Sequence, residues 1–122
     1  MRTSELTGAA LDWAVAKCEG AYAPSVHTDA DGTKFVNYGG MFPEWSADWT
    51  YGGPIIERER IFLKPSKLSP TTAKRVAWGA HGFYGNTEQK VHRHGPTPLI
   101  AAMRCYVASK LGDDIELPEE LK

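Results

Sequence analysis

The segment TPLIAAMRCYVASKLG, residues 97–112, gives the clearest structural prediction in the sequence. Thr97 can cap a helix, Pro98 suits the first helical position because it has no N–H to leave unpaired, and Gly112 supplies a stop. Few polar residues interrupt the apolar ones. One stripe at helical spacing is formed by Ile100, Met103, Val107 and Leu111. We therefore expect a helix at the centre of the core.

Two further helices are predicted upstream. Near the N-terminus, Thr7 can act as a cap, with Leu6 and Leu11 spaced as a hydrophobic staple and Gly20 as a left-handed stop. In the middle of the chain, Pro54 follows two glycines and predicts a helix of one or two turns that begins there and runs to about residue 58.

The segments between these helices predict short strands and loops. The strand candidates are residues 34–38, 61–63 and 75–80. We expect a loop and turn at 21–33 and a long ordered loop rich in aromatics at 39–54. Residues 81–95 are expected to form a hairpin tip or a mobile loop. This order indicates an α+β fold: a short antiparallel sheet packed against an N-terminal and a C-terminal helix, with a short middle helix. The 122 residues predict one domain over 1–122, with an acidic, exposed tail at 113–122.

Composition narrows the classes of partner. The 14 basic and 15 acidic residues give a net charge of -1, which argues against nucleic acid as a partner. No apolar run approaches the roughly 20 residues that span a bilayer, and residues 1–20 lack the apolar stretch of a signal peptide. Cys18 and Cys105 fall in predicted helices and suit buried reduced thiols, while a disulfide between them stays open.

Two Gly-Pro corners, 52–54 and 95–98, suggest a ligand class. If each opens a helix, its first N–H groups and positive dipole end suit an anion, and adjacent aromatic rings could stack on a base or sugar. The candidate ligand-binding residues are Tyr38, Trp45, Trp49, Tyr51, Gly52, Gly53, Ile55, His94, Gly95 and Thr97. The alternatives are ordinary turns, with an aromatic loop that fills the core or forms an interface.

No catalytic or metal-binding pattern is complete. His92 and His94 would share one face of a strand, and with His81 they could supply three zinc ligands, but no acidic partner stands at a recognised spacing. Cys105 lies in an apolar helix, where a thiolate is disfavoured. We therefore predict no catalytic residue, no metal and no cofactor, and favour a protein that is not an enzyme.

Three motifs resemble one known family. They are DW with GGPIIE at 48–57, the lone Trp78, and G-x-TPLIAAMR at 95–104, and the opening LTG, LD and AVA at 6–16 are similar as well. On these motifs the chain resembles the NinX-like family of lambdoid phage proteins, although residues 62–90 match it only at Trp78. The resemblance implies a phage or prophage accessory protein in the cytoplasm of the host bacterium, and implies no particular chemistry.

Together these features predict a non-enzymatic phage accessory protein that binds, and sequesters, a small nucleotide-derived anion such as a host immune signal. One alternative is a protein-interaction module that inhibits a host enzyme, with aromatic anchors. Others are a metal-dependent hydrolase that uses the histidines and a DNA-linked accessory role. The expected partner is a small molecule, with a homodimer or a host protein as alternatives, and no membrane.

Overall fold

The computed structural model describes residues 1–21, 24–66, 77–83 and 90–122. In these ranges the helices are α1 (Gly8–Cys18), α2 (Trp49–Glu59) and α3 (Pro98–Leu111), with short 3-10 turns at Thr3–Glu5 and Glu119–Leu121. The strands are β1 (Ser25–Thr28), β2 (Lys34–Asn37), β3 (Phe62–Pro65), β4 (Trp78–Phe83) and β5 (Lys90–Gly95). β1 and β2 form one antiparallel hairpin, and β3, β4 and β5 form an antiparallel sheet in that order. The predicted small α+β fold is confirmed.

Helix α3 is the centre of the core, as the sequence predicts. The Thr97 hydroxyl accepts the N–H of Ile100 at 3.1 Å, Pro98 is the first helical residue, and Gly112 follows the last. The helix packs against β4, β5 and α1. Its buried residues are Leu99, Ala101, Ala102, Met103, Cys105, Tyr106, Val107 and Ala108. Apolar side chains therefore surround α3 on most sides, which explains why so few polar residues occur in it.

Helix α1 ends where Gly20 was predicted to stop it. Gly20 has φ +103° and donates to the carbonyl of Lys17, while Ala21 donates to that of Ala16 at 3.0 Å. This bond pair is the Schellman pattern that satisfies the last carbonyls of a helix. At the other end Leu6 and Leu11 are both fully buried, as a staple requires.

Helix α2 begins at Trp49, so its predicted start at Pro54 is wrong. The carboxylate of Asp48 accepts the N–H of Thr50 at 2.9 Å, and the Asp48 carbonyl accepts that of Gly52. Pro54 is the sixth helical residue, so the helix lacks the backbone hydrogen bond that another residue would donate there. The sequence indicated a turn before Pro54 because two glycines precede it. In the structure one of these glycines, Gly52, is needed instead for close packing against α3.

Two loop predictions and one strand boundary also need correction. β1 occupies part of the predicted loop 21–33, and β5 lies in the predicted hairpin tip or loop 81–95. β4 extends three residues beyond the end of the predicted strand 75–80. Residues 75 and 76 of that predicted strand lie outside the described ranges. Both missed strands carry a single aliphatic residue, Val26 and Val91, and are otherwise polar. Their pairing is decided by partner strands, which sequence periodicity does not report.

The acidic tail is exposed only in part. Its carboxylates face solvent, but Leu117 is 4% exposed and joins the core. The N–H of Ile115 donates to the carbonyl of Met1 at 3.0 Å, so the two ends of the chain are joined. Both cysteines are free thiols, which resolves the open question of a disulfide. No helix in the described ranges has the length and hydropathy needed to cross a membrane.

Candidate functional site

One face of the three-stranded sheet is not covered by α3, and we call it the open face. Alternate residues of each strand point to opposite sides. Ala80, Gly82 and Val91 are buried beneath α3, where a Cβ on Gly82 would lie 3.1 Å from the Cys105 sulfur. The register then places these residues on the open face: Phe62, Lys64, Gly79, His81, Phe83, Lys90, His92 and His94. None of these eight residues is acidic.

Aromatic rings form a row across the open face. The ring centroids of Phe62 and His81 are 5.9 Å apart, those of His81 and His92 are 3.9 Å apart at an interplanar angle of 18°, and those of His92 and His94 are 4.4 Å apart. Because His81 and His92 cover each other's faces, their edges are what a ligand can reach. The Nε2 atom of His81 is buried and has no hydrogen-bond partner in the described part of the chain.

The surroundings of this row lower the pKa of two of its imidazoles, those of His81 and His92. Partial burial lowers the pKa of His81, and the positive charge of Lys64 lowers it further. Burial also lowers the pKa of His92, with contributions from its two neighbours in the row. Protonation of one ring disfavours protonation of the next. An anion bound on this face would raise the pKa values of His81 and His92 again.

A cavity of about 790 Å³ lies between β5 and the start of α3, and we call it the first cavity. Its described lining residues are Ser4, Ser66, Ala77, His92, Arg93, His94, Gly95, Pro96 and Arg104. Two guanidinium groups and two imidazoles therefore meet without a carboxylate among these residues. Such a lining favours an anion.

Backbone carbonyls hold Arg104 in place. Its Nε donates to the carbonyl of Leu6 at 2.7 Å and its Nη1 to that of His94 at 3.0 Å. These acceptors are uncharged, so the guanidinium keeps its positive charge available to a ligand. Partial burial lowers the pKa of Arg104, and an arginine nevertheless remains charged at any physiological pH.

Arg93 has one charged partner and one unsatisfied atom. Its Nη2 pairs with Asp113 and its Nη1 donates to the carbonyl of His92 at 2.8 Å. Its Nε is buried and has no hydrogen-bond partner among the residues that the structure describes. Arg93 is thus partly neutralised, and Arg104 is the stronger positive charge of the first cavity.

A second cavity, of about 320 Å³, opens on the other side of the His81–His92 stack. Its described lining residues are Arg60, Phe62, Lys64, His81, Gly82, Phe83 and Lys90. Phe62 and Phe83 are 61% and 46% exposed, although each is a large apolar side chain. This second cavity combines three cations with two exposed rings, and the described residues again contribute no carboxylate.

The sequence was compared with known proteins. The family model described as Bacteriophage P22, NinX matches residues 2–110. The chain belongs to the NinX family of phage proteins. Every described residue that lines the two cavities lies inside the matched range. The family places this NinX member among phage accessory proteins. No curated protein matches the chain.

The structure brings the two predicted Gly-Pro corners together. A Cβ on Gly52 would lie 2.5 Å from the side chain of Leu99, so the first turns of α2 and α3 touch. Residues 52–54 lie inside α2, so the expectation that this corner begins a helix and presents free N–H groups to an anion is wrong. At the other corner α3 begins as predicted, and Thr97 accepts the N–H groups of Ile100 and Ala101. An anion at the start of α3 stays a prediction.

The other predicted ligand-binding residues lie in different surroundings. His94 and Gly95 line the first cavity. Trp45 is 5% exposed and meets the ring of Tyr38 edge to face at 5.6 Å, and the Tyr38 hydroxyl donates to the carbonyl of Glu19. Ile55 is buried and Tyr51 packs against the same core, whereas Trp49 is 53% exposed. A Cβ added to Gly53, the residue after Gly52, would lie 3.9 Å from the Trp49 ring, an ordinary contact distance.

Sequence reasoning missed most of the cationic residues on this side of the molecule. Arg104 lies in the core helix, and Lys64, Lys90 and Arg60 stand beside strands that were predicted incompletely. The signal was present in β5, where Lys90, His92 and His94 alternate with Val91 and Arg93. Recognition of that alternation as a strand would have placed the three residues on one face.

Proposed function

We propose that this phage accessory protein binds a small nucleotide-derived anion in the first cavity without transforming it. Sequestration of such a compound, for example a host immune signal, would suit an accessory gene of a phage. The observation that carries the proposal is the meeting of Arg93, Arg104, His92 and His94 around a cavity of about 790 Å³, with no carboxylate among its described lining residues.

Preorganisation supports binding of a charged ligand at this place. The two carbonyl contacts fix Arg104 before any ligand arrives, so little side-chain entropy is lost on binding. Hydrogen bonds from a guanidinium to a phosphate are charge-assisted and roughly twice as strong as neutral ones. His94 lies at the exposed rim of the first cavity, where a ring N–H can donate to an anionic ligand.

The two thiols of the chain are not suited to covalent chemistry, which is consistent with binding alone. Burial raises the pKa of the Cys105 thiol to about 11 and that of the Cys18 thiol to about 12. Both are therefore protonated at neutral pH and are poor nucleophiles. Neither thiol belongs to the described lining of the first cavity.

A titration of the purified protein by calorimetry tests the proposal. The probes are inorganic pyrophosphate, AMP, ADP-ribose and a cyclic dinucleotide. At 100-fold excess over its dissociation constant, a ligand adds about 2.7 kcal/mol to the free energy of unfolding, which thermal denaturation detects. We expect at least one nucleotide to bind, and we expect Arg104→Lys and His94→Ala to weaken it about tenfold each through lost charge-assisted contacts.

The matched control is Lys34→Gln, which removes an exposed cation from β2 and should leave the affinity unchanged. A protein that binds none of the four probes would contradict the proposal. Equal loss of affinity in the Lys34 variant would show that attraction is general rather than local to the first cavity.

A second candidate function is a protein-interaction module that inhibits a host enzyme. Phe42 and Met41 are 44% and 56% exposed, and the Phe42 ring meets those of Phe35 and His27. This exposed apolar cluster on the β1–β2 side suits an interface anchor. A stoichiometric host protein captured by the wild type and lost with Phe42→Ala would favour this function over the first.

A further inference from the structure

We propose that the ligand has two ends and two phosphate groups, one phosphate for each cavity, and that the end in the second cavity also carries an aromatic base. The ligand class is thus a nucleotide with two separate phosphates, for which the linear dinucleotide pApA is the probe, rather than a nucleoside monophosphate or a simple anion. This inference rests on the proposed function and specifies the ligand of the same site.

The two cavities lie side by side. His92 lines the first cavity and His81 lines the second, and their ring centroids are only 3.9 Å apart. Both side chains stand on the open face, on neighbouring strands in direct register. A ligand that lies across the two stacked rings therefore reaches both cavities at once. Their volumes, about 790 and 320 Å³, each fall within the usual range of small-molecule sites, roughly 300–1,000 Å³.

The charges of the second cavity call for a second anion. Arg60, Lys64 and Lys90 line it, and none of them forms an ion pair with a described residue. Three like charges near one another repel, and a phosphate between them relieves that repulsion. The first cavity holds its own pair of guanidinium groups beyond the histidine stack. One phosphate cannot occupy both places.

The exposed rings of the second cavity call for an aromatic group. Phe62 on β3 pairs in register with His81 on β4. Phe83 lies two residues after His81 on β4 and therefore on the same face. Each ring keeps about half of its surface in water, which is a cost unless a ligand covers it. Bases stack on such rings in a sequence-tolerant way. The first cavity has no Phe, Tyr or Trp among its described lining residues, so the base belongs at the second.

The junction between the cavities offers a polar atom to the linking part of the ligand. The Nε2 of His81 is buried without a hydrogen-bond partner in the described ranges. A buried polar atom without a partner costs free energy, and a hydroxyl or phosphate oxygen of a bound dinucleotide would satisfy it. The linking atoms of a two-ended ligand would pass along the edge of this ring.

The test compares AMP with the linear dinucleotide pApA by calorimetry, with the wild-type protein and two second-cavity variants. We expect the wild type to prefer pApA about tenfold or more, because a second charged contact adds at least that much. We expect Phe62→Ala and Lys64→Gln each to reduce this preference to about twofold. Phe62 and Lys64 are exposed, so both variants should fold normally.

The matched controls are Phe42→Ala and Lys34→Gln, which remove an exposed ring and an exposed cation from the β1–β2 side. Both should retain the full preference. A wild type that binds both probes equally, with affinity that still depends on Arg104, would overturn the two-ended ligand and leave the proposed function standing. Absence of binding to both AMP and pApA would overturn the two-ended ligand, and it would overturn the proposed function as well only if pyrophosphate, ADP-ribose and the cyclic dinucleotide also fail to bind. Tighter binding of a longer single strand than of pApA would also overturn the inference, since it would assign the open face to nucleic acid.

Discussion

Asp12 connects two segments that are distant in sequence. It lies on α1, is 6% exposed, and its Oδ1 accepts the N–H of Ser46 at 2.8 Å. Burial raises the pKa of this carboxyl to about 6, against the opposing effect of the Ser46 hydrogen bond. The charged form is therefore disfavoured by the fold. Sequence gave no sign of this, because an aspartate in a helix normally faces solvent.

The pKa of Asp12 predicts a pH dependence of stability. A folded pKa above the unfolded value of 3.8 means that the native state binds more protons between about pH 4 and 6. The free energy of unfolding should therefore fall over this window as pH rises, by on the order of 3 kcal/mol from this group. In Asp12→Asn that decrease should be absent, because asparagine does not titrate and can still accept from Ser46.

Urea denaturation at pH 4, 5, 6 and 7 measures the difference between wild type and variant. Asp31→Asn is the control of opposite sign. Hydrogen bonds from Thr33 lower the pKa of Asp31, so its contribution is lost as pH falls rather than as it rises. Parallel curves for wild type and Asp12→Asn would contradict the predicted burial of this carboxylate.

At the scale of elements, the contact between α2 and α3 depends on a glycine. A Cβ at position 52 would lie 2.5 Å from the Leu99 side chain and 2.6 Å from the carbonyl oxygen of Trp45. The side chain can shift, but the backbone oxygen cannot shift without moving the turn that precedes α2. A Cβ at position 53 would meet only the Trp49 ring, at 3.9 Å, which is an ordinary contact distance.

This difference predicts opposite effects of two neighbouring substitutions. Gly52→Ala should lower the free energy of unfolding by about 1–3 kcal/mol through overpacking, which exceeds the gain in helix propensity. Gly53→Ala should raise it by up to about 1 kcal/mol, since alanine is the better helix former and meets no obstacle. Chemical denaturation of both variants measures the two signs. Stabilisation by both substitutions would mean that α2 and α3 do not pack as described.

A second connection between elements uses polar groups. The carboxylate of Glu19, after α1, accepts from the Tyr106 hydroxyl on α3 at 2.6 Å and pairs with Arg58 on α2 at 2.7 Å. Arg58 also donates to the Tyr106 hydroxyl at 3.1 Å. Burial and the adjacent carboxylate raise the pKa of Tyr106. The three helices therefore share one hydrogen-bond network beside the apolar core.

At the scale of the whole molecule, a net charge of -1 conceals an uneven distribution. The tail at 113–122 carries exposed carboxylates, while the open face and its cavities collect lysines, arginines and three histidines. The overall balance weakens the case for duplex binding, but it hides a local field that suits a small anion. Only the arrangement of strands reveals this separation of charge.

The field of the open face predicts pH-dependent binding. Partial burial, with Lys64 on β3, His94 and Lys90 on β5, holds the pKa of His81 below its usual value. Burial also lowers the pKa of His92, with further contributions from His81, His94, Lys64 and Arg93. A bound phosphate raises both pKa values, so binding takes up protons and the affinity for pApA should rise as pH falls below about 6.5. Calorimetry at pH 5.5 and 7.5 measures the change. We expect His81→Gln to reduce this change of affinity between pH 5.5 and 7.5. An affinity for pApA that does not depend on pH would argue against a phosphate near the histidine stack.

Sequence by itself determined the parts that local physics controls. The caps and the apolar content at 97–112 specify α3, Gly20 ends α1, and the Asp-Gly turn between β1 and β2 fits its hairpin. Only the tertiary structure decided how closely α2 and α3 pack and which cations meet. Position 52 must be a glycine because Leu99 and Trp45 leave no room for a side chain, and Arg104 faces the first cavity because the carbonyls of Leu6 and His94 hold it. Those contacts join residues far apart in the chain, and neither periodicity nor capping signals carry information about them.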